Sequence, residues 1–485
     1  MKVLTGRIWV PVVAALLVAL GACSSSDSGD NGGPAPVPTT GVLSAGVITA
    51  FGSVYVDGVR YDTSSAEVTM DDAVATQAQL RVGQYVEVKG HEQGDQRHAD
   101  VIRYHNVLEG PVSNVDVAGS SFVAMGQTVL VTSATSLGDV IQPQSIAGIA
   151  EGDVVEVSGM VPLTGAVEAT RVDIKPDGGP YEVTGYVASL DVNAKVFGIN
   201  DLVVDYSTAN MEDFPTGAPA EGDLVLVKGF DFLPLGEFVA IHVELRSDDC
   251  LKPDPGDLVE VEGLIGNFVS ATDFEVAGIE VTTTASTLYE HGTVADLADG
   301  VMVRVKGTTD SSGVLVASRI AFPFENDVRI VAQVEAIGQD GITLLGLDVA
   351  TDEFTRYEDD SALDLREFDL GDIAVGDWLD LRGYEESEGS NLVVATRVVR
   401  IDPADEMRLR GPFRDAAPPD FAILSIAVTT TVDTRFRLEN LEDDSGEVLT
   451  PDQFFAMAVG EIVEAWAWYG APLVADRVEI KVCDD

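Results

Sequence analysis

Six segments of this chain share one pattern: GQYVEVKG at Gly83, GDVVEVSG at Gly152, GDLVLVKG at Gly222, GVMVRVKG at Gly300, GDWLDLRG at Gly376 and GEIVEAWA at Gly460. Such a period constrains the fold more than any single residue, because it means one small unit is built again and again. The positions three and five after each opening glycine are apolar throughout: Val86 and Val88, Val155 and Val157, Val225 and Val227, Val303 and Val305, Leu379 and Leu381, Val463 and Ala465. Glu87, Lys89, Glu156, Ser158, Lys228, Arg304, Lys306, Asp380, Arg382 and Glu464 stand between and beside them. Alternation with period two predicts a half-buried antiparallel strand, one face on a core and one toward water.

A second strand follows each segment, with a signature of its own in ATRV at Ala169, AIHV at Ala240, ASRI at Ala317, ATRV at Ala395 and ADRV at Ala475. The loops between, such as GTTDSSG, carry the Gly, Asp and Ser of hairpin turns. Arg171, Arg319, Arg397 and Arg477 recur in the second strand. Each is expected to pair with an acidic neighbour across the ladder. Three further short strands precede each hairpin, as in AGVITAFGSVYVDGVRYD. A longer connection lies between strands three and four, and in the last unit Thr450 can cap and Pro451 open a short helix there. Five strands with that connection suit a small closed barrel of the OB type.

The units resemble the bacterial domain of unknown function numbered 5666, whose pattern is Gly-Asp-x-Val-x-Val-x-Gly followed by Ala-x-Arg-Val. The resemblance covers residues 41 to 481. In the sixth unit Ala467 replaces the closing glycine and Trp466 and Trp468 intrude, which marks a departure at the edge of that module. The resemblance implies short β domains in tandem in an exported lipoprotein, and no established activity or catalytic residues come with it.

The N-terminus reads as an export signal. Lys2 and Arg7 precede an apolar run from Ile8 to Leu20, too short for a comfortable membrane span, and Leu20-Gly21-Ala22-Cys23 resembles a lipobox. Cys23 is then the lipid-attachment residue, and Ser24 after it implies sorting to the outer membrane. Residues 24–40 are rich in Ser, Gly, Asp and Pro and read as a flexible tether. The expected organisation is a signal peptide at 1–22, a lipidated cysteine and tether at 23–40, and all-β modules at 41–106, 107–178, 179–250, 251–324, 325–403 and 404–485.

Eighty-one acidic residues face 29 basic ones, and removing residues 1–22, which carry two of the basic ones and no acid, takes the formal charge from −52 to −54. Binding a nucleic acid relies on Lys and Arg displacing counterions, so this surface excludes nucleic acid as a partner. The carboxylates are scattered in no ligand-spaced cluster and serve solubility in an exported protein; no cofactor is expected, with Ca²⁺ binding as the alternative. After Cys23 only Cys250 and Cys483 remain, the candidate pair for a disulfide.

Few residues carry recognisable chemistry. His91 and His98 flank the first hairpin loop and, with Glu92 or Asp95, are the candidate zinc or copper ligands; His105 has the opposite strand parity to His98, and solvated loop histidines are the better reading. Trp466, Trp468 and Tyr469 are a candidate interaction surface, for a sugar or partner or as the seam between the last two modules. No nucleophile elbow, zinc-protease, Walker or dinucleotide motif is present in the sequence. The expectation is a non-enzymatic, lipid-anchored protein of six OB-like modules, acting as a binding or scaffolding protein for an unidentified protein or glycan at the cell envelope. A calcium-rigidified adhesin-like stalk and a glycan-active or metal-dependent enzyme are the alternatives.

Overall fold

The opening glycine of each signature lies in the left-handed region that side chains avoid: φ is 87° at Gly83, 90° at Gly152, 88° at Gly222, 80° at Gly300, 99° at Gly376 and 90° at Gly460. The turn into the strand therefore requires glycine. At the other end, a Cβ on Gly90 would stand 2.0 Å from the His98 carbonyl oxygen of the partner strand. The ladder slips there, between Lys89 and Gly90, and again at the closing glycines Gly159, Gly229, Gly307 and Gly383. The repeat signature is thus a tight turn followed by a β-bulge. In the last repeat Ala467 occupies the slip and the strand Ile462–Trp468 still pairs as far as Ala475, so the departure in sequence does not end the sheet.

These features belong to a computed structural model that describes residues 39–482, apart from 95, 163–164, 177, 235, 247–251, 324–325, 388, 391, 441–446 and 469–472. The described chain is all-β, with three hydrogen-bonded sheets and one α-helix. Closed five-strand barrels form from consecutive strands. Thr39–Phe51 pairs with Val54–Val56, which pairs with Val59–Asp62, which runs parallel to Gln96–Tyr104. Tyr85–Gln93 then bridges Gln96–Tyr104 back to Thr39–Phe51 and closes the ring. Residues 108–175 and 328–401 close in the same order. The strands of 258–321 and 406–482 repeat these pairings, and in 181–245 the first strand is interrupted at Val187.

The first half of each first strand leaves one edge outside its ring, and that edge is where repeats join. Leu108 and Glu109 of the second repeat pair with Val183 and Glu182 of the third. Arg329 to Val331 of the fifth pair with Arg410 to Arg408 of the sixth. Val42 to Ala45 of the first run parallel to Leu258 to Val261 of the fourth. The repeats are therefore not stacked simply in chain order: the first reaches past the second and third to the fourth. Edge strands are a liability, and pairing them two by two removes it. Each seam also fuses cores, so that Leu43 and Ala45 are buried among Val259, Val261 and Phe274 of the fourth repeat.

The helix Pro451–Met457 forms as its cap predicts. Thr450 Oγ1 accepts the Gln453 amide at 3.3 Å and Gln453 Oε1 accepts the Thr450 amide at 2.9 Å. It delivers Phe454, fully buried, to the rings of Phe413, Phe421 and Phe436. No helix among the described residues is long and apolar enough to cross a membrane.

The alternating pattern breaks down in several strands, most completely in one. Val154–Met160 is buried along both faces, including Glu156 and Ser158, which were expected to meet water. The first repeat covers its outer face: Tyr104 Oη donates to Glu156 at 2.9 Å and the Tyr85 amide to Ser158 Oγ at 2.8 Å. Other contacts gather the repeats around this point. Tyr85 Oη donates to the Glu262 carbonyl at 2.7 Å, and Arg171 donates to the Val82 carbonyl at 3.0 Å. Arg366 of the fifth repeat lies 3.9 Å over the Phe51 ring and donates to the Leu80 carbonyl at 2.9 Å.

A candidate anion-binding cleft

Where the second repeat meets the fifth and sixth, the outer face of the fused sheet carries a row of arginines. Arg356 stands opposite Arg397, Arg397 opposite Arg382, Arg382 opposite Arg329, and Arg329 opposite Arg410 across the seam. Like charges directly opposed on a sheet destabilise it. The row is the more unusual for lying in a chain with 29 basic residues against 81 acidic.

Four of the five, Arg329, Arg382, Arg397 and Arg410, form the floor of a cleft of about 590 Å³. Two carboxylates bond this floor. Asp380 accepts from Arg329 at 3.1 and 2.6 Å and is also bonded by Arg382. Glu358 accepts from Arg397 Nε at 2.8 Å. Arg410 faces Glu464 in register, and its Nε is buried without a hydrogen bond among the described residues. Four guanidiniums thus meet two bonded carboxylates and, opposite Arg410, Glu464, which leaves the floor one positive charge in excess. The pKa shifts follow from this crowding. Burial foremost, then Arg329 and Arg397 on either side, bring Arg382 down to about 10 despite Asp380. Burial also opposes the charge on Asp380, yet Arg382 and Arg329 hold its carboxyl below the usual range. Lys481, beyond the seam, is brought to about 7 by burial and by Arg410 and its neighbours.

The second repeat supplies the opposite wall with Ser120, Thr132, Ser133 and Gln142. A clasp holds the wall in place: Ser136 Oγ donates to Glu358 at 2.7 Å, Arg356 to the Ala134 carbonyl at 2.6 Å, and Arg397 to the Thr135 carbonyl at 3.3 Å. Acids occupy the rim. Asp139, Asp360 and Asp364 are all exposed there, and partial desolvation in the cleft, then Glu358, moves Asp360 up to about 7. Asp359 is engaged elsewhere, bonded to Arg400 and to Ser361 Oγ at 2.6 Å, and its pKa falls to about 2.

Four segments of the chain, residues 40–102, 109–173, 262–321 and 332–399, match the domain of unknown function DUF5666. The chain belongs to this family. The matches make it a tandem-repeat protein of that domain, and the cleft lies where the second and fourth matched segments meet. A comparison with curated proteins finds no match.

The residues singled out from sequence fall in several places. His91 and His98 face each other in register, with rings stacked at 5.3 Å. Each has its own carboxylate, Asp100 at 3.1 Å from His91 and Asp62 at 3.5 Å from His98, while Glu92 turns to Arg97. His105 lies apart, by Asp72 and Arg246. No group of three or more His, Cys, Asp or Glu side chains converges as a metal set among the described residues. Trp466 and Trp468 share one strand face but differ in exposure. Trp466 is buried under Arg477, 3.8 Å from its ring, whereas Trp468 is 65% exposed at the fifth–sixth seam. Cys23, Asp95, Cys250, Cys483 and Tyr469 lie outside the described residues.

The recurrent arginines all find acids, though only two do so across the ladder. Arg319 donates to Glu290 at 2.6 Å and Arg397 to Glu358 at 2.8 Å from neighbouring strands. Arg171 and Arg477 bond Asp173 and Glu479 two residues along their own strands, on the same face. Arg329, Arg382 and Arg410 were not read as a site in the sequence, because only the register of the seam brings them into line.

Proposed function

We propose that this chain is a non-enzymatic binding protein of the cell envelope whose ligand docks an anionic group in the arginine cleft. In this reading it is exported, lipidated at Cys23, carried at the outer membrane on the tether of residues 23–40, and divided into six OB-like modules at the boundaries given above. The observation that carries the binding reading is the opposed arginine row on the floor of the cleft. A strongly acidic protein that keeps four guanidiniums in one cavity gains from an anion that relieves their repulsion. Binding without turnover is supported by the state of the acids on the floor, because Asp380 is locked between two guanidiniums and is not placed to move a proton. The glycan-active enzyme keeps one observation in its favour, the raised pKa of Asp360 at the rim. The calcium-stiffened stalk has less support, since buried seam carboxylates such as Glu262 and Glu358 already bond Arg304 and Arg397.

The test uses residues 23–485, titrated with citrate and with sodium chloride at matched ionic strength while thermal unfolding is followed. Citrate should raise the midpoint beyond the chloride control, as a ligand of the native state does. Arg410→Gln should remove most of that excess. Equal midpoints in citrate and chloride would refute the cleft.

A further inference from the structure

The cleft does not end at the arginine row. A second cavity of about 480 Å³ adjoins it and shares Arg329, Asp380 and Ile401 with it. Trp468 lines this second cavity with its ring 65% exposed, beside Arg408, Asp405 and Glu406. One continuous trough thus runs from a hydroxyl and amide wall, over a guanidinium floor, to an exposed indole.

We propose that this trough binds an oligosaccharide that carries uronate carboxylates. The inference rests on the anion-binding reading above and names its ligand class. Three features of the trough each exclude a rival. The guanidinium floor leaves charges unmet by a neutral glycan, and unpaired buried charge costs affinity. The rim of Asp139, Asp360 and Asp364 accepts hydrogen bonds from hydroxyls, which an acidic peptide such as hexaglutamate does not offer. The indole offers a flat apolar face with a polar tip, which suits the apolar face of a sugar ring better than a phosphate or an extended acidic peptide. A hydroxylated ring with one planar carboxylate satisfies all three at once, because the carboxylate takes a guanidinium fork while the hydroxyls meet the rim and wall. Both cavities lie in the size range of sites that enclose ligands of this kind.

The probes are oligogalacturonate of four to six residues, maltohexaose, hexaglutamate and citrate, titrated calorimetrically into residues 23–485 at fixed ionic strength. Oligogalacturonate is expected to bind about tenfold or more tighter than each of the others. Trp468→Ala, at an exposed position that folding tolerates, should weaken oligogalacturonate about tenfold and leave citrate unchanged. Arg410→Gln should weaken both. Equal affinity for oligogalacturonate and hexaglutamate, or for oligogalacturonate and maltohexaose, overturns the inference, as does a Trp468→Ala variant with unaltered binding. If citrate binds and oligogalacturonate binds no better, this inference fails while the anion cleft stands. If neither binds, both fail.

Discussion

Arg329 lies directly opposite Arg410 on the neighbouring strand, across the seam that joins the fifth repeat to the sixth. Arg329 is neutralised by Asp380, whereas Arg410 keeps a buried Nε without a hydrogen bond among the described residues. The pair therefore opposes like charges, which an anion bound in the proposed cleft would relieve. Arg410→Gln should leave the protein equally stable or raise its unfolding free energy by about 0.5 kcal/mol, the scale of a like-charge cross-strand pair. Chemical denaturation of the variant checks this, and a marked loss of stability would mean that Arg410 is a structural tie.

Removing the acid should do the reverse. Asp380→Asn strips the carboxylate from between Arg329 and Arg382 and leaves two partly buried guanidiniums facing each other. A loss of roughly 3 kcal/mol is expected, as when one member of a buried pair is deleted. The double variant Asp380→Asn, Arg382→Gln should recover part of it in a denaturation series, since the two sites are coupled.

Stability should peak in mildly acid solution. Burial, ahead of other causes, raises Asp71 to about 6 and Glu87, Glu109 and Asp360 to about 7. These groups favour the folded state fully below their unfolded values near 4 and lose that contribution as pH rises through 6 to 7. Asp359, held at about 2 by Arg400 despite some burial, and Asp380 act oppositely. Their contribution is present above about pH 4 and is lost as pH falls through their folded values. The midpoint of thermal unfolding should therefore be highest near about pH 5 and decline toward pH 8. Glu87→Gln should flatten that decline more than the exposed Asp452→Asn, although both remove one charge.

The opening glycines should not be equivalent. Alanine at Gly376 meets a positive φ and only the Gln333 side chain nearby, a cost of about 1 kcal/mol from backbone strain. Alanine at Gly83 meets the same strain and also the Ser136 Cβ at 2.6 Å, where the second repeat packs against the first. The drop in midpoint should be clearly larger for Gly83→Ala, and calorimetry of the two variants decides it.

Much of the fold was legible because its rules are local. The turn at Gly83, the slip at Gly90 and the cap at Thr450 each depend on residues within a few positions, and the sequence displays them six times or with matched chemistry. Inward positions such as Val86 and Val88 could be read from alternation, since the first barrel's own strands surround them. Glu156 and Ser158 could not, because what buries them is Tyr104 and Tyr85 of another repeat. The cleft was partly legible. Arg397 stood out in its repeated ATRV, but its meaning depends on Arg329 and Arg410, whose alignment is set by a seam between two repeats. Asp360 at the rim carries no local signal, since the cleft that partly desolvates it is assembled from separate repeats.

The pairing of Val42–Ala45 with Leu258–Val261 also sets an order of assembly. A ribosome delivers the first repeat long before the fourth, so the edge that the fourth will cover stays open while the second and third repeats form their own pair. Contacts that span so much chain close late and slowly. The newborn chain must carry an unsheathed strand, Val42–Ala45, until its partner arrives, and any chaperone that attends this protein on its way to maturity has that strand to guard.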